Sequence, residues 1–387
     1  MELSKDQDKA LKEILKWFKN PSRSNYITLG GYAGTGKTTL VSLLREELRK
    51  EHKNLSVSFC SYTGKATRVL EDKLRESKSI LNQDTVSTIH SLIYSTITNA
   101  KEEIIGWERK REVGSDLIIV DEASMVDSRI WNDLSSFGIP ILAVGDHGQL
   151  PPISGSFNLV EKPMIKLEEI HRQAKENPII ELSIQARKEG KIDPGHYSGN
   201  VIKLRRSDED SREMFSELLQ NSNNDSLVLC GYNHTRVKLN KFIRDSLEYE
   251  TSTPEFGDRV ICLRNNHQKG IFNGMHGNIK KITSHNNGWY NAEIEMDGDD
   301  KRFKGLISKD QFNNPQSLNF TEERGRYMDG DLFDFGYAIT VHKAQGSQAN
   351  RVVLFEERFK QMTDKMWKRW LYTAVTRAES ELYILGD

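Results

Sequence analysis

The octapeptide Gly31-Tyr32-Ala33-Gly34-Thr35-Gly36-Lys37-Thr38 fits the pattern G-x-x-x-x-G-K-[ST] at every defined position. Glycines at that spacing let successive backbone N–H groups turn inward onto phosphate oxygens, and a following helix adds the partial positive charge of its N-terminus. Gly34, Thr35, Gly36, Lys37, Thr38 and Thr39 are the expected phosphate cradle. Lys37 would reach the β- and γ-phosphates, and the Thr38 hydroxyl would bind Mg²⁺. Such a loop needs a carboxylate at the end of a neighbouring strand. Leu117-Ile118-Ile119-Val120-Asp121-Glu122 offers two. Asp121 would hold Mg²⁺ through water, and Glu122 would orient and deprotonate an attacking water. The chemistry implied is hydrolysis of a nucleoside triphosphate, with ATP and Mg²⁺ as the expected cofactors. Gln7 reads two ways, as half of a capping box with Ser4 or as an amide on an adenine edge, since it carries a donor and an acceptor.

These groups need a scaffold of strands that end where the chemistry occurs. Leu11, Ile14, Leu15 and Phe18 recur at helical spacing, and Asn20-Pro21-Ser22 stops that helix. Tyr26-Ile27-Thr28-Leu29 reads as a buried strand, followed by the glycine turn and a helix with Leu40, Val41, Leu44 and Leu48 on one face. Leu55, Val57 and Phe59 alternate as a strand, and 117–120 and 141–144 are short apolar runs. Strands alternating with helices predict a parallel sheet covered on both faces over residues 1–165. A similar set recurs later. Leu227-Val228-Leu229 precedes a helical stretch over 235–247, and 351–355 precedes another over 364–378. Residues 253–330 are rich in Gly and Asn with short alternating pieces, which predicts a small antiparallel barrel-like insertion. A polar stretch over 91–115 predicts a smaller one. No sequence repeat is visible, which leaves open whether the two α/β units share a fold.

Composition is neutral on function. Of 387 residues, 36% are hydrophobic and 29% charged, with a formal net charge of −1, so a polyanion partner requires a local basic groove. The three cysteines, Cys60, Cys230 and Cys262, have no spacing for zinc or a disulfide framework. The charged start Met1-Glu2-Leu3-Ser4-Lys5-Asp6 lacks a signal-peptide core, and no apolar run is long enough to span a bilayer. The expectation is an intracellular, cytoplasmic protein (in the host cytoplasm if phage-encoded) without a membrane partner.

Seven segments, one of them containing the acidic pair, fall in one order. They are Thr63-Gly64-Lys65-Ala66-Thr67, Ser87-Thr88-Ile89-His90, Asp121-Glu122-Ala123-Ser124-Met125, Gly145-Asp146-His147-Gly148-Gln149-Leu150-Pro151-Pro152, Leu167-Glu168-Glu169-Ile170-His171-Arg172-Gln173, Tyr337-Ala338-Ile339-Thr340-Val341-His342-Lys343-Ala344-Gln345-Gly346-Ser347 and Leu371-Tyr372-Thr373-Ala374-Val375-Thr376-Arg377-Ala378. In that order they resemble motifs Ia, Ib, II, III, IV, V and VI of superfamily 1 type B helicases, RecD/Dda-like. The resemblance covers most of the chain outside the inserted segments. It implies two RecA-like P-loop domains, 1A over 1–165 and 2A over 166–252 plus 331–387. It makes 91–115 a separation pin (1B) and 253–330 an SH3-like insertion (2B). It also assigns roles. Arg172 and Arg377 would neutralise the γ-phosphate, Gln149 would link that phosphate to the DNA-contacting surface, and His171 would lie against the adenine. Thr63, Lys65, His90, Thr340, His342 and Lys343 would grip single-stranded DNA by its phosphates, with Trp107 an aromatic at the pin. Two departures stand out: Gln348 and Asn350 replace acidic residues after motif V, and Tyr32 fills a P-loop position where a small residue or proline is common.

The implied function is a monomeric ATP-dependent DNA helicase moving 5′→3′ on single strands and acting at single-strand/duplex junctions. Single-strand-binding, replication or recombination proteins are the partners such an enzyme would meet. The alternatives are a translocase that strips proteins from single strands, a nucleotide-switched nucleic-acid-binding protein, a P-loop kinase, or RNA in place of DNA.

Overall fold

The computed structural model describes residues 3–98, 104–152, 157–170, 176–222, 225–266, 269–286, 288–297, 302–318 and 329–387. Two compact units divide the chain between Glu181 and Leu182.

The first unit opens with α1 (Lys5–Lys19), which starts with both hydrogen bonds of the Ser4/Gln7 capping box and buries Ala10, Leu11, Ile14 and Phe18. There follow β1 (Tyr26–Gly31), α2 (Lys37–Glu51), β2 (Val57–Ser61), α3 (Gly64–Glu76), β3 (Thr85–Thr88), α4 (Ile89–Ile93), β4 (Tyr94–Thr98), β5 (Ile104–Arg109), β6 (Leu117–Asp121), α5 (Ser128–Ser135), β7 (Ile141–Gly145) and β8 (Ile165–Leu167). The large sheet runs β3-β2-β6-β7-β1-β8, and every pair in it is parallel. Period-two side chains divide between two cores. On β6, Leu117 and Ile119 face α1–α3, whereas Ile118 and Val120 face α4 and α5. On β2, Val57 and Phe59 likewise face one core and Cys60 the other, and all five positions are buried because the sheet is covered on both faces. The expected boundary after 165 would cut β8, whose pairing with β1 holds it in this unit. Beneath α2, Arg45 and Asp84, both inaccessible, form a two-pronged ion pair that anchors this helix to the start of β2 and β3. β4 and β5 pair separately as a two-stranded hairpin within the 91–115 stretch.

The second unit contains α6 (Pro178–Glu189, which crosses the division), β9 (Gly195–Ser198), β10 (Val201–Arg205), α7 (Glu209–Gln220), β11 (Ser226–Cys230) and α8 (Asn233–Ser246). After these come β12 (Arg259–Cys262), β13 (His276–Ser284), β14 (Trp289–Met296), β15 (Arg302–Ser308), β16 (Phe333–Phe335), β17 (Ala338–Thr340), β18 (Ala349–Phe355), α9 (Asp364–Val375) and β19 (Ala378–Gly386). Its main sheet runs β17-β11-β18-β19-β10-β9, parallel except for β9. By rank along the chain, the first five strands of each sheet occupy the order third-second-fourth-fifth-first. The two units thus share a topology that their sequences do not reveal. The inserted region forms a separate antiparallel sheet, β15-β14-β13-β12-β16, around Val260, Ile279, Ile294, Phe303 and Phe333. Its last strand lies beyond the expected limit at 330, because the chain pairs with β12 before it re-enters the main sheet. The helix expected over 364–378 stops at Val375, and Ala378 already begins β19.

Candidate functional site

In a parallel sheet all strands end along one edge, and ligands bind beyond those carboxyl ends. Here β1 ends in the P-loop, β6 ends in Asp121, and β7, between them, ends in Gly145 followed by Asp146-His147-Gly148-Gln149. The P-loop, the acidic pair and Gln149 are thereby gathered at one edge from three sequence regions.

Gly34 and Gly36 adopt φ of +79° and +73°, a conformation that penalises any Cβ. A Cβ on Gly31 would stand 2.5 Å from Thr35 Oγ1. Gly36 begins α2 without a side-chain cap, so the first N–H groups of that helix are left to a ligand. Lys37 Nζ donates to the carbonyls of Gly31 (2.8 Å) and Tyr32 (3.1 Å), poised over the loop. The Thr35 hydroxyl is buried and donates to Tyr32 O at 2.8 Å, so Thr35 serves the loop's shape with its side chain. Gln7 is spent similarly. Its Oε1 accepts from Ser4 N–H (3.1 Å), and its Nε2 donates to Thr35 O (3.3 Å) and Gly36 O (3.4 Å), so the capping amide also props the P-loop from below.

Asp121 sits beside Ser61 in the register of β6 and β2. Burial pushes its carboxyl above the ordinary range, opposed by the Glu122 backbone N–H and by the charge of Lys37. A bound divalent cation would reverse that balance. Glu122 holds φ 51°, ψ 39°, a left-handed turn that costs a non-glycine residue about 1–2 kcal/mol. This turn starts the 3₁₀ segment Ala123–Met125 and lifts the carboxylate off the strand direction. Gly145 lets β7 pass this turn, where a Cβ would meet Ser124 N at 3.1 Å. Gln149 is 4% exposed, and its Oε1 finds no donor among the described residues; the hydroxyls of Ser61 and Ser124 are likewise buried without partners. Polar atoms orphaned along the edge that carries the open helix N-terminus fit a magnesium–nucleotide site.

On the strands at the other end of this sheet, Thr63 caps α3 by accepting from Ala66 N–H (3.2 Å), and Lys65 stands half-buried in its first turn. His90 follows the end of β3 and lies between the rings of Tyr62 and Tyr94, at 6.5 and 5.4 Å. Burial lowers its imidazole below the usual value, against Asp127, so a hydrogen-bonding rather than a charged contact is expected of it. Trp107 belongs to β5 opposite Thr96, and only its backbone is described. His171 and Arg172 lie outside the described residues.

In the second unit Thr340 ends β17, the counterpart in rank of β3, and His342 and Lys343 follow it. Thr340-Val341-His342 thus stands where Thr88-Ile89-His90 stands in the first unit. Burial lowers the His342 imidazole. It also pushes the Lys343 ammonium down to about 8. Lys343 Nζ donates to Asn273 Oδ1 at 2.8 Å. Asn273 was not among the expected site residues. Gly274, at φ +91°, closes a turn from Phe272 to Met275, and that turn presents Asn273 to the motif V lysine. Arg377, 2% exposed, donates to Thr373 O (3.0 Å), Ser347 O (3.1 Å) and Thr376 Oγ1 (3.2 Å), and has no carboxylate partner among the described residues.

A family model described as the AAA domain matches residues 2–201, and one described as the UvrD-like helicase C-terminal domain matches 335–385. The ATP-dependent RecD2 DNA helicase of Deinococcus radiodurans is 27% identical over 93% of this chain and 47% of its own length. The chain therefore spans about half of that relative. The ATP-dependent DNA helicase dda of Enterobacteria phage T4 is 22% identical over 99% of both chains. Among solved structures, a Bacteroides Pif1 helicase in complex with ADP-AlF3 and ssDNA shares the fold at TM-score 0.55 and 18% identity, over 100% of this chain and 92% of that one.

Proposed function

Because the chain belongs to the AAA domain family, and with it to the RecD/Dda-like helicases of superfamily 1 type B, we propose that it is an ATP-dependent DNA helicase moving 5′→3′ on single strands. The observation that carries this reading is the single sheet edge holding the uncapped α2 N-terminus, Asp121, Glu122 and the Gln149 Oε1 that finds no donor among the described residues. The roles follow from chemistry. Backbone N–H groups from Gly34 to Thr39 cradle the phosphates, and Lys37 leaves its loop carbonyls for the γ-phosphate. Thr38 and Asp121 would hold Mg²⁺, which when bound would supply charge neutralisation for the phosphates. Glu122 takes a proton from a water whose oxygen bonds to the γ-phosphorus as the bond to the bridging oxygen breaks and ADP leaves. Arg172 and Arg377 stabilise the charge on the transferring group. The carbonyl-bound guanidinium of Arg377, lacking a carboxylate among the described residues, supports that role. Gln149 reports the γ-phosphate, and His171 contacts the adenine.

Thr63, Lys65, His90, Thr340, His342 and Lys343 grip one strand through its phosphates, so binding is sequence-tolerant and salt-sensitive. We read the β4–β5 hairpin with Trp107 as the separation pin and the five-stranded sheet as an SH3-like insertion. Single-strand/duplex junctions are the substrate, replication or recombination proteins the partners, and the cell interior the location. Among the described residues no helix is long and apolar enough to cross a membrane. Unwinding of duplexes with a 5′ or a 3′ single-stranded tail tests the reading. Separation of the 5′-tailed substrate alone is expected, separation of the 3′-tailed one alone overturns the polarity, and DNA-stimulated hydrolysis without separation leaves a translocase.

A further inference from the structure

Tyr32 stands directly after the first P-loop glycine and carries an aromatic ring where a small residue or proline is common. Its backbone is the hub of the phosphate loop, since the Tyr32 carbonyl accepts from Lys37 Nζ (3.1 Å) and from the Thr35 hydroxyl (2.8 Å). Its ring lies against the imidazole of His147, centroid to centroid 4.1 Å, tilted by 47°. His147 belongs to the turn that leaves β7, between Asp146, whose carboxylate accepts from Gly148 N–H at 2.9 Å, and Gln149. The imidazole also abuts the end of β1, where a Cβ on Gly30 would come within 3.0 Å of His147 Nδ1. The ring pair therefore connects the loop that holds the phosphates to the turn that carries Gln149, by direct contact inside one unit.

Resting on the ATPase reading above, we infer that Tyr32 and His147 are positioning residues that set the Gln149 turn against the P-loop. Neither ring needs to touch the nucleotide. The pair fixes the distance between the cradle and the amide that meets the γ-phosphate. Loss of either ring loosens Gln149 relative to the loop, and the cost falls on turnover more than on nucleotide binding, which the backbone cradle supplies. The pair acts as a unit, so its two halves are not additive.

The test is a double-mutant cycle on single-strand-stimulated ATP hydrolysis with Tyr32→Ala, His147→Asn and the combination. Binding of a fluorescent ADP is measured beside it. Each single variant is expected to lower kcat by roughly tenfold, with the ADP Kd changing by less than about threefold. The combined variant is expected to be no slower than the worse single one, and Tyr32→Phe, which keeps the ring, to restore turnover. His147→Asn removes the contact from the other side and carries the test should Tyr32→Ala not fold. Multiplying defects, or a Tyr32→Phe variant as slow as Tyr32→Ala, overturns the inference while native stimulation leaves the ATPase reading intact. Absence of stimulation in the native chain refutes that reading instead, and the pair with it.

Discussion

Replacing Arg377 by methionine separates stability from turnover, because the guanidinium is buried without a carboxylate among the described residues. It is 2% exposed and donates to two carbonyls and one hydroxyl. Hydrogen bonds from a charged donor contribute about 1.5–3 kcal/mol each, so three are worth roughly 4–9 kcal/mol. Removing the cation from water costs several kcal/mol in the opposite direction, and swapping a buried ion for an apolar side chain of similar size is often neutral or stabilising. Two of the three acceptors keep other uses. Thr376 Oγ1 still donates to Tyr372 O at 2.9 Å, and Thr373 O still accepts from Thr376 at 3.1 Å. Only Ser347 O is orphaned, at about 1–3 kcal/mol. The terms cancel to within about 2 kcal/mol, which for a unit of this size is a Tm change below about 8 °C. Turnover behaves otherwise, since an arginine that neutralises the transferring phosphoryl is worth about 10³-fold or more in kcat. Phosphate release at saturating single-stranded DNA, with thermal denaturation alongside, reads both quantities. A kcat loss under tenfold in a folded protein that still binds DNA refutes the assigned role. A collapse of Tm refutes the balance of stability terms.

The raised Asp121 carboxyl means that ionisation costs the folded chain more than the unfolded one. That penalty is absent at low pH and grows as pH rises through the carboxylate range. Asp121→Asn therefore raises the Tm of the nucleotide-free protein at neutral pH, by less under acid conditions, while removing magnesium-dependent hydrolysis; a lower Tm at neutral pH contradicts this. Lys343, pushed down to about 8 from 10.5, is disfavoured as a cation, so its contribution to folding rises as pH climbs through that window. Its grip on phosphate weakens over the same window, so single-strand affinity falls above pH about 8 and Lys343→Arg flattens that fall. Lys343→Ala lowers the slope of log K against log salt by roughly 0.7 for each phosphate it leaves unneutralised; an unchanged slope counts against a Lys343–phosphate interaction.

How much of this was legible depended on whether the signal was local. The P-loop and the β6 carboxylates announce themselves because consecutive residues supply the chemistry, and the capping box is a three-residue spacing. The shared topology of the two units was not legible, since strand order is a property of pairing, and strands such as Ala338–Thr340 are too short to mark. β16 escaped for the same reason, as its place in the inserted sheet is fixed by β12, far earlier in the chain. Tyr32 read as a departure until His147 stood beside it, and nothing local marked Asn273 as the partner of Lys343. Gln7 reconciles its structural reading with its position. The amide caps α1 and supports the P-loop through contacts 28 and 29 residues away in sequence, which no local pattern encodes.

The central claim is tested most directly by ATP hydrolysis measured with and without single-stranded DNA, in the native chain and in Lys37→Ala. Strong stimulation by the strand, abolished in the variant, is the predicted result. Hydrolysis that neither DNA nor RNA alters, or that survives the loss of Lys37, contradicts the motor reading.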